Sequence, residues 1–141
     1  MSALVDLAGK SDAAKETLTY AFTVMPDHLH WVLRLGSRLT LGQVVAKIKS
    51  LARSSLSSRQ LEWQRNYYEH ELRADELPED YSLYVFLNPY RAALLPVDQS
   101  WSGWWSGVPH ELRFTAFLNS NGSPPPEWVD LPIPDDLQVG E

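Results

Sequence analysis

A chain of 141 residues with 44% hydrophobic and 21% charged residues suffices for one soluble domain with a proper core and is too short for two. The absence of cysteine excludes disulfides, thiolate metal sites and cysteine nucleophiles. No apolar run approaches the ~20 residues needed to cross a membrane, and the first residues lack the pattern of a secretion signal, so a cytoplasmic protein is expected.

The net charge of −6 is unevenly spread. From His30 to His70, Arg34, Arg38, Lys47, Lys49, Arg53, Arg59 and Arg65 outnumber Glu62 and Glu69, a local balance of +5. From Glu71 onward twelve acids face only Arg73, Arg91 and Arg113. The middle third is therefore the part suited to phosphates, although a solvated surface with a chance asymmetry has the same pattern.

In chain order, Ser2 to Glu16 reads as a short helix, interrupted or frayed near Gly9. Thr17 to Met25 is rich in β-branched and aromatic residues and reads as a strand, followed by a turn at Pro26-Asp27. His28 to Leu35 reads as a second strand, antiparallel to the first. Side chains alternate along a strand, so His28 and His30 project side by side while Leu29 faces the other way. Two parallel imidazoles can form two corners of a divalent-metal site, and equally can be ordinary histidines on a half-exposed strand.

Thr40-Leu41-Gly42-Gln43 fits a capping box. Behind it Leu41, Val44, Val45, Ile48, Leu51 and Ala52 form the apolar stripe of a helix ending around Ser54–Ser58. Lys47, Lys49 and Arg53 fall off that stripe and are expected to be exposed and free to meet a partner. Trp63 to Arg73 is plausibly strand or irregular. Within it Trp63, Tyr67 and Tyr68 are candidates for stacking on unpaired bases, with core packing as the alternative for some of them. Arg65, Arg73 and Arg91 are candidate phosphate contacts. His70 reads as a structural histidine.

Asp75 to Asp80 supplies acids and a proline suited to a helix start, and Tyr81 to Leu87 carries the helix. Asn88-Pro89 is expected to kink or end it, with a further helical turn or two from Tyr90 to Leu95. After Pro96 come Trp101, Trp104 and Trp105 in a Ser/Gly-rich setting, then a short regular segment from Glu111 to Leu118. Residues 1–118 are read as the domain and 119–141 as a proline-rich acidic tail, extended and either loose or laid across the surface.

Tyr84 and Asn88 are four residues apart and share a helix face. An Asn carbonyl oxygen is a hard ligand suited to Mg²⁺ or Mn²⁺ beside two imidazoles. A tyrosine one turn away could then attack phosphorus on a metal-polarised phosphate. The same residues also suit a half-buried Tyr84 with Asn88 capping a following helix and Pro89 at its first position.

Met25-Pro26-Asp27-His28-Leu29-His30, then Trp63-Gln64-Arg65-Asn66-Tyr67-Tyr68-Glu69-His70-Glu71-Leu72-Arg73, then Tyr84-Val85-Phe86-Leu87-Asn88-Pro89-Tyr90-Arg91-Ala92-Ala93-Leu94 occur in this order. From about Leu18 to Trp105 the chain resembles the REP-associated tyrosine transposases, single-tyrosine members of the HUH nuclease superfamily. The resemblance implies an α+β fold, an antiparallel β-sheet with packed α-helices of ferredoxin- or RRM-like type. It also implies a Mg²⁺- or Mn²⁺-dependent endonuclease and strand-transferase acting on single-stranded, hairpin-forming REP-like DNA. On that reading His28, His30 and Asn88 hold the metal and Tyr84 forms a covalent 5′-phosphotyrosine.

Two features depart from the family. The overall acidity is unusual for a transposase. Family members carry a strand before the first helix; here the helix is expected to start at Ser2 with that strand missing or replaced, and a missing strand is expected to leave a sheet edge uncovered. The alternatives are a weakly active or domesticated hairpin-binding module, and an unrelated histidine-metal phosphoesterase. A monomer is expected; the sequence shows no membrane partner.

Overall fold

A computed structural model describes residues 2–26, 29–52, 67–72 and 77–131, with only the backbone for residues 2, 3, 52 and 67–71. The described elements are α1 (Ser2–Ala13), β1 (Thr17–Val24), β2 (Leu29–Leu35), α2 (Leu41–Ala52), β3 (Tyr67–Glu71), α3 (Pro78–Arg91) and β4 (Trp104–Trp105). Short 3₁₀ turns follow at Pro109–Glu111, Arg113–Phe117 and Pro126–Asp130. Helices pack on a sheet of order β3-β2-β1-β4, so the class is α+β.

The antiparallel pairing of β1 with β2 is present, from Thr17 opposite Leu35 to Val24 opposite Leu29. β4 also pairs antiparallel, setting Phe22 opposite Trp105 and Thr23 opposite Trp104. β3 differs and lies parallel to β2. A parallel neighbour needs a crossover connection, and α2 lies within this one. The far edge of β1 is covered in part: besides the β4 pairing, Gly107 N donates to Thr19 O and Val24 N donates to Gly103 O.

A register shift between Thr19 and Ala21 marks a β-bulge at Tyr20. A bulge sets two consecutive residues on one side and restarts the alternation in the opposite phase. Tyr20 and Ala21 accordingly both join the cluster beneath α3, while Phe22 and Val24 join the cluster beneath α1 and α2. That second cluster comprises Leu4, Ala8, Phe22, Val24, Leu29, Trp31, Leu33, Val44 and Ile48. On the opposite sheet face Ala21 and Val32 pack with Val85, Phe86, Leu87 and Tyr90 of α3.

α1 runs unbroken through Gly9 to Ala13, where Lys15 takes a left-handed φ of 61°. Glu16 N then donates to Ser11 O and Lys15 N to Asp12 O, the two bonds of a Schellman closure. The capping box of α2 forms as expected, with Thr40 N donating to Gln43 Oε1 at 2.9 Å and Gln43 N donating to Thr40 Oγ1 at 3.2 Å. Of the α2 stripe, Val44, Val45 and Ile48 are buried but Leu51 is 48% exposed.

Of the two expectations for α3, a kink or an end at Asn88-Pro89, the end does not occur. Asn88-Pro89 neither ends nor caps a helix, since α3 continues through Pro89 to Arg91. It closes one turn later, with Leu94 N donating to Pro89 O, Ala93 N donating to Tyr90 O, and Ala93 at φ 56°. Nor is the start of the 119–141 segment loose. Trp128 packs edge-on against Phe114 at 6.4 Å between ring centroids, and Arg91 Nη2 donates to Leu131 O at 2.9 Å. No helix among the described residues is long and apolar enough to cross a membrane.

Candidate functional site

The alternation along β2 sends Leu29, Trp31 and Leu33 toward α1 and α2, and His30 and Val32 toward α3. His30 is buried there, and its ring meets that of half-buried Tyr84 edge to face at 6.3 Å between centroids. The structure thus brings together two predicted site residues 54 positions apart in sequence. Asn88 follows Tyr84 by one helical turn, is buried, and its Nδ2 has no hydrogen-bond partner among the described residues. A buried amide is normally paired, so an Asn left without a partner is an exception that asks for a reason.

Those residues fit the implied metal as far as they are described. An imidazole nitrogen and an amide oxygen form a donor set suited to Mn²⁺ or Mg²⁺, and turning the amide exchanges its unpartnered nitrogen for the oxygen. His28 lies outside the described residues, as do Arg53, Arg65, Arg73 and Trp63. Tyr67 and Tyr68 lie on β3, where Tyr68 is in register with His30, and only their backbone is described. Among the described residues no three His, Asp or Glu side chains cluster as a metal site.

The predicted DNA contacts are distributed differently from expectation. Lys47 and Lys49 stand on α2, on the sheet face away from His30 and Tyr84. Lys47 is not free: its Nζ pairs with Glu16 at 2.7 Å, drawn there because the closure of α1 leaves that nearly buried carboxylate beside α2. Arg91 stands on α3, seven residues beyond Tyr84 and on the same side of the helix. Its Nη2 is engaged by Leu131 O, its Nε is buried without a partner among the described residues, and burial lowers its pKa. The neighbouring Tyr90 has its pKa raised by burial, partly offset by a hydrogen bond accepted from the Trp101 backbone; its hydroxyl donates to Gln99 O at 2.7 Å.

Two residues of this face carry no signal in the sequence. Ser82 is fully buried with an unpartnered Oγ among the described residues. Thr23 lies directly opposite His30 and donates from Oγ1 to Val85 O at 3.2 Å. Recognising Thr23 would have required knowing the bulge, because strict alternation from Thr19 places the two threonines on one face.

No protein-family model, curated protein or solved structure matches this chain.

Proposed function

We propose that the protein is a DNA-cleaving and -joining enzyme, a metal-dependent endonuclease and strand-transferase for hairpin-forming single-stranded DNA. The observation that carries the reading is the approach of Tyr84 to His30, with Asn88 one turn further along the same helix. The three motifs that resemble the REP-associated tyrosine transposases supply the reaction class.

In this reading His28, His30 and Asn88 would hold Mg²⁺ or Mn²⁺. A bound ion would supply Lewis-acid polarisation of a phosphoryl oxygen. Tyr84 Oη attacks the phosphorus, forming an Oη–P bond as the P–O3′ bond breaks. The phenolic proton is lost to solvent and the departing 3′ oxygen gains one, leaving a 5′-phosphotyrosine and a free 3′-OH. Return of that hydroxyl, or attack by another, reseals DNA and frees Tyr84. The half-buried position of Tyr84 against an imidazole limits the rotamers it samples, which favours a fixed line of attack.

The test combines the protein, Mn²⁺ and a labelled single-stranded hairpin library on a denaturing gel. A shifted, protease-sensitive band that disappears in Tyr84→Phe is expected, with hairpin retention on a native gel nearly unchanged. A band that persists in Tyr84→Phe excludes this nucleophile. Retention without any band reassigns the protein as a hairpin-binding module, and cleavage without a protein adduct points to a phosphoesterase.

A further inference from the structure

Pro89 stands inside α3, and its ring nitrogen has no hydrogen to donate. In an uninterrupted helix the amide of residue 89 would bond the carbonyl four residues earlier, that of Val85. Val85 is only 4% exposed, so water is a poor substitute. The donor that reaches this carbonyl comes from the sheet, 62 residues away in sequence: Thr23 Oγ1, fully buried and 3.2 Å distant. Thr23 is paired directly across β1 and β2 with His30, and Val85 adjoins Tyr84. A single hydroxyl therefore links the strand position facing His30 to the helical turn that bears Tyr84.

We infer that Thr23 is a positioning residue that sets Tyr84 against His30, its hydroxyl replacing the helical hydrogen bond that Pro89 cannot make. Three consequences follow from the geometry. Removing the hydroxyl takes from this buried carbonyl the donor that reaches it from the sheet, and the turn around Tyr84 and Val85 relieves this by rotating away from β1. Returning an amide hydrogen at position 89 pairs the carbonyl within the helix and makes the hydroxyl dispensable. Keeping the hydroxyl on a smaller side chain keeps the link. The inference rests on the proposed role of Tyr84 for its functional meaning, while the placement itself is measurable without DNA or metal.

The test is a cycle of Thr23→Val, Thr23→Ser, Pro89→Ala and the double variant T23V/P89A, read in two ways. The first readout is the nuclear Overhauser contact between the His30 and Tyr84 rings in the protein alone. The second is the rate of covalent adduct formation with the hairpin and Mn²⁺. Thr23→Val is expected to lose the ring contact and slow adduct formation by roughly tenfold or more, the scale of one lost buried hydrogen bond. Thr23→Ser and T23V/P89A are expected to restore both readouts. An intact ring contact in Thr23→Val overturns the inference, as does a folded T23V/P89A that fails to recover it. If Thr23→Val does not fold, T23V/P89A decides: a folded double variant with the contact restored supports the inference, and an unfolded one overturns it. Absence of adduct in the unaltered protein defeats the proposed function alone, since the ring-contact cycle still decides the positioning.

Discussion

The two faces of the sheet are built from alternate residues of the same strands, yet they are finished differently. Under α1 and α2, Leu29, Trp31 and Leu33 pack with Phe22 and Val24, and the polar groups at the margin are paired. Asp12 accepts from Thr17 Oγ1, Thr19 Oγ1 and Thr19 N, and Trp31 Nε1 donates to Thr19 Oγ1. Under α3 the sheet presents His30 and Thr23, and the helix carries Ser82 Oγ, Asn88 Nδ2 and Arg91 Nε, each buried and unpartnered among the described residues. Leaving buried polar atoms unpaired costs stability, and such groups collect where a protein has a use for them. Both faces carry an apolar cluster, and the one beneath α3 holds in addition the buried unpaired polar atoms.

Neighbouring substitutions on β2 give the sharpest test of this division. Trp31→Ala removes a ring that is 1% exposed and stacked edge-on against Phe22, and is expected to cost about 3–5 kcal/mol in denaturant unfolding. His30→Gln, one residue away on the other face, is expected to cost less than half as much and to abolish adduct formation. Equal losses of stability would erase the distinction between the faces. Ala93→Gly relieves a left-handed residue at the end of α3 and is expected to stabilise the protein by about 1 kcal/mol, read as a raised thermal midpoint. Glu16→Gln breaks the ion pair to half-exposed Lys47 on the structural side; a loss of under ~1 kcal/mol that shrinks with added salt is expected.

Elements with a local code were legible in the sequence. The capping box at Thr40 and Gln43, the apolar stripe of α2 and the β-branched run of β1 report on neighbours within a few residues. The meeting of His30 with the helix carrying Tyr84 was legible too, through a motif order rather than through any one spacing. What escaped was decided across the chain. Asn88-Pro89 reads as a kink or an end because a residue before proline avoids helical geometry, and the bond from Thr23 to Val85 is invisible at that distance. Lys47 reads as free because Glu16 is far away in sequence, and β3 joins in parallel because of the crossover that contains α2.

The extra residue at Tyr20 has a further consequence, best put as parity. A strand has two settings, and moving between them takes an odd number of added or removed residues, which no exchange of one side chain for another can supply. Deleting Tyr20 would remove the bulge and restore unbroken alternation along β1. It would either turn Thr23 toward α1 and α2 and Phe22 and Val24 toward α3, or shift the Thr17 end of the strand by one place against β2. Which side chains of β1 face α3 thus depends on chain length at Tyr20.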